Sequence, residues 1–176
     1  MHAVARKGPF LGLLLLLLAP FSQSWAVTAG VGETAPQFSL PSLRAETPSI
    51  TLADHRGKVL YLDFWSAWCA PCRRAMPDLD AVRQDFSRSD FEVIGINVDG
   101  EADDGRRVLD ELGIGYPVAE DVDLRAAARY GVEALPVSFI IDRNGVVRRV
   151  LRGKAAESVD EQRELLRRLI EEQGVR

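Results

Sequence analysis

The sequence contains few of the residues that build zinc sites and disulfide-rich folds. Its 176 residues include two cysteines, Cys69 and Cys72, and two histidines, His2 and His55. A structural zinc site needs four ligands, so the thiol and imidazole count argues against one. A disulfide between Cys69 and Cys72 would close a very short loop, and the stabilisation that a disulfide provides shrinks with loop length. A structural role therefore explains the cysteine pair poorly.

The sequence also lacks an apolar run of the roughly 20 residues that span a bilayer. Residues 1–26 instead combine Arg6 and Lys7, the apolar run FLGLLLLLLAPF, and the small residues Ser24 and Ala26. A basic start, a short apolar middle and a small-residue end are typical of a secretory signal peptide. We expect cleavage after Ala26 and a periplasmic or otherwise exported protein, with an uncleaved N-terminal anchor as the alternative.

A large excess of basic residues is absent as well. The formal net charge is −4, and it becomes −6 when residues 1–26 are removed, because two basic and no acidic residues leave with them. This mildly acidic balance argues against nucleic acid or an anionic membrane surface as a partner. The length of residues 27–176 suits one compact domain. We expect a monomer that needs no cofactor.

The apolar pattern predicts a mixed sheet with helices on both faces. The segments VLYLDFW and FEVIGINVD are nearly continuous apolar runs, which is typical of strands buried on both faces. Between them, apolar residues recur every three or four positions from Pro71 onward, which indicates a helix and hence a right-handed parallel crossover. Near the end, ALPVSFIID and VVRRVLRG flank the turn RNG and predict a hairpin.

The other predicted elements are shorter. The segments VGETAPQFSLPSL and SITLADHRGK predict a preliminary hairpin or edge, and SVDEQRELLRRLIEEQ predicts a closing helix with Ser158 as its N-cap. Between the main strands, the sequence predicts a polar loop over GEADDG, a short helix, a short strand at YPVAED and a further helix at VDLRAAARYGV. The GEADDG stretch lacks the ligand spacing of a calcium loop, so we interpret it as a solvated loop.

The two cysteines lie in WCAPC, directly after the first apolar strand. With Pro71 in the first helical turn, Cys69 is placed at a helix N-terminus, where backbone N–H groups and the helix dipole favour a thiolate. Cys72 follows one turn later. We expect Cys69 to be the exposed nucleophile and Cys72 the resolving thiol, so that exchange proceeds through a mixed disulfide on Cys69. Binding of a soft ion such as Cu(I) by both thiolates is an alternative.

The segment LDFWSAWCAPC resembles the active-site segment of the thioredoxin superfamily. The opening GETAPQFSL, the insert EADDGRRVLDELGIGYPVAED and the hairpin ALPVSFIIDRNG extend this resemblance to the TlpA/ResA/CcmG-type exported thiol–disulfide oxidoreductases. The resemblance implies an α/β thioredoxin fold over residues 27–176, with an N-terminal strand extension and a central strand and helix insert. It also implies the activity of a protein disulfide oxidoreductase.

The resemblance assigns roles to residues around the cysteine pair. It implies that Asp63, six positions before Cys69, is a buried acid that accepts the proton of the resolving thiol, and burial in an apolar strand predicts a raised pKa for it. It implies that Pro136 follows a cis peptide bond and faces the cysteines, so that the backbone of Leu135 pairs with an extended substrate segment. An aspartate hydrogen-bonded to backbone and a strand-starting proline are the alternatives.

Trp68, Ala70 and Pro71 are expected to form an apolar, substrate-contacting rim around Cys69. Ala70 and Pro71 include no histidine, unlike the dipeptide of strong oxidants in this superfamily, so the resemblance implies a comparatively reducing pair. It further implies a membrane thiol–disulfide electron donor and client proteins whose disulfides belong to apocytochrome c or copper-site assembly. The alternatives are a disulfide-forming oxidant and a non-catalytic copper-binding chaperone.

One rival family, the peroxiredoxins, shares the APQFSL style of opening. Its peroxidatic cysteine follows Thr or Ser by three positions and Pro by seven. Ser66 meets the first condition relative to Cys69, whereas Leu62 fails the second. Peroxidase activity is therefore not expected.

Overall fold

The computed structural model describes residues 29–44, 48–153 and 159–172. The predicted signal segment and Ser158 lie outside these residues. In the described part of the chain, no helix is both long enough and apolar enough to cross a membrane. The elements in chain order are β1 (Ser39–Pro41), β2 (Ser49–Thr51), β3 (Val59–Trp65), α1 (Ala70–Gln84), β4 (Phe91–Asn97), α2 (Ala102–Leu112), β5 (Val118–Glu120), α3 (Arg125–Tyr130), β6 (Val137–Ile141), β7 (Val147–Arg152) and α4 (Val159–Glu171).

The main sheet has the strand order β5-β4-β3-β6-β7. Strands β3, β4 and β5 are parallel, β6 is antiparallel to β3, and β7 is antiparallel to β6. All seven residues of β3 are buried, which confirms the predicted central strand. Because parallel strands end at one edge of a sheet, the loops after β3, β4 and β5 meet there. The segment before β6 reaches the same edge.

Each face of the sheet packs against its own hydrophobic layer. Tyr61 and Trp65 of β3 pack in a cluster with residues of α1, α2 and α4, whereas Leu62 and Phe64 pack in a second cluster with α3 and the N-terminal hairpin. Successive side chains of a strand point to opposite faces, so Asp63 lies on the face that α1 covers. The predicted helices on both faces are confirmed.

The N-terminal extension forms the predicted hairpin and reaches both edges of the main sheet. Strands β1 and β2 pair antiparallel. Ser42 forms an isolated bridge with Ala119 of β5, and Thr34 forms one with Val146, just before β7. The extension thereby covers strand edges that would otherwise present unpaired backbone groups.

The interpretation of GEADDG as a loop is wrong in part. Helix α2 begins at Ala102, so Glu101 is its N-cap and Asp103 and Asp104 lie in its first turn. Asp103 and Asp104 form ion pairs with the arginines three positions later, and carboxylates are favourable at a helix N-terminus. Gly105, the last residue of this stretch, lies inside the helix and is buried.

Candidate active site

Cys69 and Cys72 form a disulfide at the start of α1. The S–S distance is 2.03 Å and the two Cα atoms are 5.3 Å apart. Cys69 is the N-cap of the helix, its Sγ accepts a hydrogen bond from the Cys72 N–H (3.3 Å), and Pro71 lies in the first turn. The predicted placement at a helix N-terminus is therefore confirmed. In this position the Cys72 N–H can stabilise negative charge on the Cys69 sulfur when the disulfide is opened.

The expected exposure of Cys69 is wrong for this disulfide-bonded form. Cys69 is 3% exposed and Cys72 is 2% exposed, and their sulfur atoms are bonded to each other. The expected rim is largely open to solvent: Trp68 is 74% exposed, Ala70 is exposed and Pro71 is half-buried. The two cysteines are therefore equally buried, and they differ in the residues that surround them.

Asp63 is a buried carboxyl group in the centre of the sheet. It is 7% exposed, and the Ser138 hydroxyl donates a hydrogen bond to its Oδ1 (2.7 Å). Ser138 lies directly opposite on β6. Burial raises the pKa of Asp63 from 3.8 to about 7, and the Ser138 hydrogen bond opposes part of that rise. The raised pKa agrees with the sequence prediction, and the hydrogen-bond partner is a side chain rather than neighbouring backbone.

A cavity of about 470 Å³ connects the acid to the second cysteine. Asp63, Ser138, Cys72, Pro71 and Pro136 all line it. These five residues come from three separate segments of the chain, which are β3, the start of α1, and β6 with the residues before it. Cys69 does not line this cavity, so the two sulfurs face different surroundings.

The peptide bond between Leu135 and Pro136 is cis, as the resemblance implied. The Pro136 carbonyl accepts a hydrogen bond from the Gly153 N–H (2.9 Å). Leu135 is half-buried and lies before β6, which begins at Val137. Its backbone is therefore outside the ladder that β6 forms with its neighbours.

Sequence reasoning missed Ser138 and a set of buried polar residues that contact the loop before Cys69. A signal for Ser138 existed, since it is the one polar residue in the apolar run VSFII. Among the described residues, no group of three or more histidine, cysteine or carboxylate side chains is arranged to hold a metal ion.

Comparison with known proteins assigns the chain to a family. A family model described as the AhpC/TSA family matches residues 31–150. The curated relatives include thiol-disulfide oxidoreductase ResA of Geobacillus thermodenitrificans, 33% identical over 80% of this chain and 84% of the relative. ResA of Bacillus subtilis is 30% identical over 84% and 86% of the two chains. The chain belongs to the AhpC/TSA family, among the ResA-like thiol–disulfide oxidoreductases.

Solved structures support the same assignment. A Chlorobium tepidum chain assigned as thiol:disulfide interchange protein DsbE has a TM-score of 0.70 and 34% identity, over 78% of this chain and 97% of that one. A secreted thiol-disulfide isomerase of Corynebacterium glutamicum has a TM-score of 0.70 and 26% identity, over 78% and 86%. The thioredoxin-like fold and the oxidoreductase class of this ResA-like chain are thereby confirmed.

Proposed function

We propose that this protein is an exported reductase of protein disulfides, in which Cys69 is the nucleophile, Cys72 the resolving thiol and Asp63 the proton acceptor. The observation that carries the proposal is the cavity that Cys72 shares with Asp63, a buried acid with a pKa of about 7. A group with that pKa can accept a proton and release it again near neutral pH, which suits general acid–base catalysis.

The reaction begins from the dithiol form. The Cys69 thiolate attacks one sulfur of a client disulfide, a Cys69–client disulfide forms, and one client thiolate leaves. Cys72 then gives its proton to the Asp63 carboxylate, and its thiolate attacks the Cys69 sulfur. The Cys69–Cys72 disulfide forms, and the second client thiolate leaves. The client gains two electrons and the protein loses two, so an external dithiol must reduce it again.

The client is expected to bind at the sheet edge that carries the disulfide. An extended client segment would pair with the backbone of Leu135, which is outside the β6 ladder, and would contact the exposed Trp68 and Ala70. Pro71 and Pro136 would border the sulfur atoms. Disulfides of apocytochrome c or of copper-site assembly proteins are the proposed clients, and a membrane thiol–disulfide protein is the proposed electron donor.

Export is supported by the signal-peptide pattern of residues 1–26, and a structural relative is a secreted enzyme. We propose that the mature protein is a periplasmic or similarly exported monomer. Fractionation of cells that produce the full chain, with mass determination of the product, would show whether residues 1–26 are removed. Retention in the membrane fraction at full mass would favour the anchored alternative.

The first test is the equilibrium potential of the cysteine pair, measured against glutathione or dithiothreitol with trapping of free thiols. A value near or below about −220 mV supports a reductase, and a value near about −120 mV would make the protein an oxidant. Cys72→Ser should accumulate a mixed disulfide on Cys69, whereas the matched variant Cys69→Ser should accumulate none. Tight Cu(I) binding without exchange toward any disulfide would favour the copper chaperone instead.

A further inference from the structure

A second buried carboxylate lies beneath the loop that leads to the disulfide. Asp99, two residues after β4, is 5% exposed. Its Oδ1 accepts a hydrogen bond from the Ser66 hydroxyl, and its Oδ2 accepts from the Ala67 N–H (2.8 Å) and from Nδ2 of Asn97 (2.7 Å). In the described part of the chain, no basic side chain forms an ion pair with it. Three hydrogen bonds therefore compensate the burial of this carboxylate.

Two of these hydrogen bonds hold the residues that precede the nucleophile. Ser66 is fully buried, and its carbonyl accepts a hydrogen bond from the Cys69 N–H (3.0 Å). The turn over residues 66–69 is thus fixed by Asp99 at its first two residues and closed by its own backbone at Cys69. Trp68, between these two anchors, points into solvent. This turn joins the end of β3 to the start of α1 and thereby sets the position of Cys69.

Asp99 is itself held by Asn97, which lies close to helix α2. The Asp99 N–H donates to Oδ1 of Asn97 (3.3 Å), and Asn97 is fully buried. A Cβ atom at position 105 would lie 2.9 Å from both Cγ and Nδ2 of Asn97 and 2.9 Å from Cδ2 of Leu43. Those distances are too short for ordinary contacts, so only glycine at position 105 allows the Asn97 amide to occupy this space. A continuous set of contacts therefore runs from Gly105 in the insert to the loop before Cys69.

We infer that Asp99 is a positioning residue for thiol–disulfide exchange: it fixes the turn over residues 66–69 so that the Cys69 sulfur stays at the helix N-terminus, beside the Cys72 N–H. This inference rests on the proposed role of Cys69 as nucleophile. It also gives Ser66 a function, since its hydroxyl is one of the three donors to Asp99. The insert helix α2 contributes to the active site through the same contacts, although it supplies no reacting group.

The test measures how fast Cys69 attacks a small disulfide that needs no docking surface. In the full chain carrying Cys72→Ala, the Cys69 thiolate attacks one sulfur of 5,5′-dithiobis(2-nitrobenzoate), forms a mixed disulfide and releases one coloured thiolate. Adding Asp99→Asn should slow this reaction by about tenfold or more, since misplacing a reacting group by about 1 Å can cost a factor of about 10². Adding Ser66→Ala instead should slow it less, because the Ala67 N–H bond remains.

The sign of the effect separates positioning from charge. Removing a negative charge near Cys69 would by itself favour the thiolate and accelerate the reaction. The matched control is Asp121→Asn, which changes another buried carboxylate at the same sheet edge. The Asp121 carboxylate accepts hydrogen bonds from N–H groups at the start of α3 rather than from the loop before Cys69. This control should leave the rate unchanged. Thermal unfolding of each variant verifies that it is folded at the assay temperature.

The outcomes are distinct. Slower reaction in folded Asp99→Asn and Ser66→Ala proteins, with Asp121→Asn unchanged, supports the inference. Unchanged or faster reaction in both loop variants, with only lower thermal stability, overturns it and leaves Asp99 a stabilising residue. If Asp99→Asn does not fold, Ser66→Ala alone decides. A Cys72→Ala parent that reacts with no disulfide would overturn the proposed function, and with it this inference.

Discussion

Asp63, in β3, and Asp99, in the loop after the neighbouring strand β4, are both buried aspartates, yet their surroundings differ. Asp99 accepts three hydrogen bonds, two of them from the loop before Cys69. In the described part of the chain, Asp63 accepts one, from Ser138, and it lines a cavity that reaches Cys72. A buried carboxylate with several donors is suited to hold structure, whereas one with few donors gains a proton readily. The number of donors, rather than depth, separates the two proposed roles.

The largest expected effect concerns stability. The pKa of Asp63 is about 7 in the folded protein and 3.8 ordinarily, so the folded protein binds the proton more tightly than the unfolded chain. The free energy of unfolding should therefore fall as pH rises from about 4 to about 7 and then level off. The Asp63 contribution across this window is at most on the order of 4 kcal/mol, from about three pKa units. Asp63→Asn should remove it.

Denaturant unfolding of the oxidised protein across that pH range, with and without Asp63→Asn, measures the difference directly. The variant should be the more stable protein above about pH 7, because no charge then has to be buried. Other groups contribute equally to both proteins and cancel in the comparison. The free energy of unfolding of the wild type minus that of the variant should fall as pH rises. An increase in this difference would contradict the raised pKa of Asp63.

The second effect concerns the rate at which Cys72 releases the client. Asp63→Asn should slow resolution of the mixed disulfide by about a hundredfold, the lower end of what a general base contributes. In the wild-type protein, the resolution rate should rise with pH through about 7, because the carboxylate form accepts the Cys72 proton. Rapid acid quenching and separation of the mixed disulfide follow this step.

The first step serves as the internal control for that variant. The attack of Cys69 on 5,5′-dithiobis(2-nitrobenzoate) should change little in Asp63→Asn, because Asp63 lines the cavity beside Cys72 and Cys69 does not. Equal slowing of both steps would mean that Asp63 acts on the whole site rather than on the resolving thiol.

A smaller effect is expected from Ser138→Ala. The Ser138 hydrogen bond lowers the pKa of Asp63, so its loss should move the midpoint of the resolution-rate profile to higher pH. A hydrogen bond to a charged group contributes about 1.5–3 kcal/mol, so resolution at neutral pH should slow by about tenfold. The rate at high pH should recover, which distinguishes this variant from Asp63→Asn. An unchanged midpoint would show that the hydroxyl does not influence the acid.

The two aspartates also differ in how far the sequence could predict them. Asp63 was predictable because a charged residue in the continuous apolar run VLYLDFW must be buried wherever that strand pairs. The central strand and the helix after Pro71 were predicted for similarly local reasons, whereas the cis bond before Pro136 was implied only by the resemblance to the thioredoxin superfamily. The α/β architecture followed from the order of these elements and from the resemblance to the thioredoxin superfamily.

The contacts of Asp99 could not be predicted because they depend on which strands are neighbours. Ser66 follows β3 and Asp99 follows β4, and they meet because these strands pair in parallel with their ends at one edge. The segment INVD gave a weak signal, since polar residues there directly follow a buried strand. The interpretation of GEADDG as a solvated loop was wrong in part for a similar reason, because Gly105 lies inside helix α2, where the lack of a side chain allows the helix to approach Asn97.

The smallest expected effect comes from a third buried aspartate, and it tests the comparison most directly. Asp121 accepts hydrogen bonds from the N–H groups of Arg125, Ala126 and Ala127 and thereby resembles Asp99 rather than Asp63. Asp121→Asn should destabilise the protein by about 1 kcal/mol, as expected when a helix-capping group is weakened. The same chemical change at Asp63 should stabilise it above about pH 7. Denaturant unfolding of both variants at one pH tests these opposite signs, and equal signs would show that donor number does not distinguish the buried carboxylates.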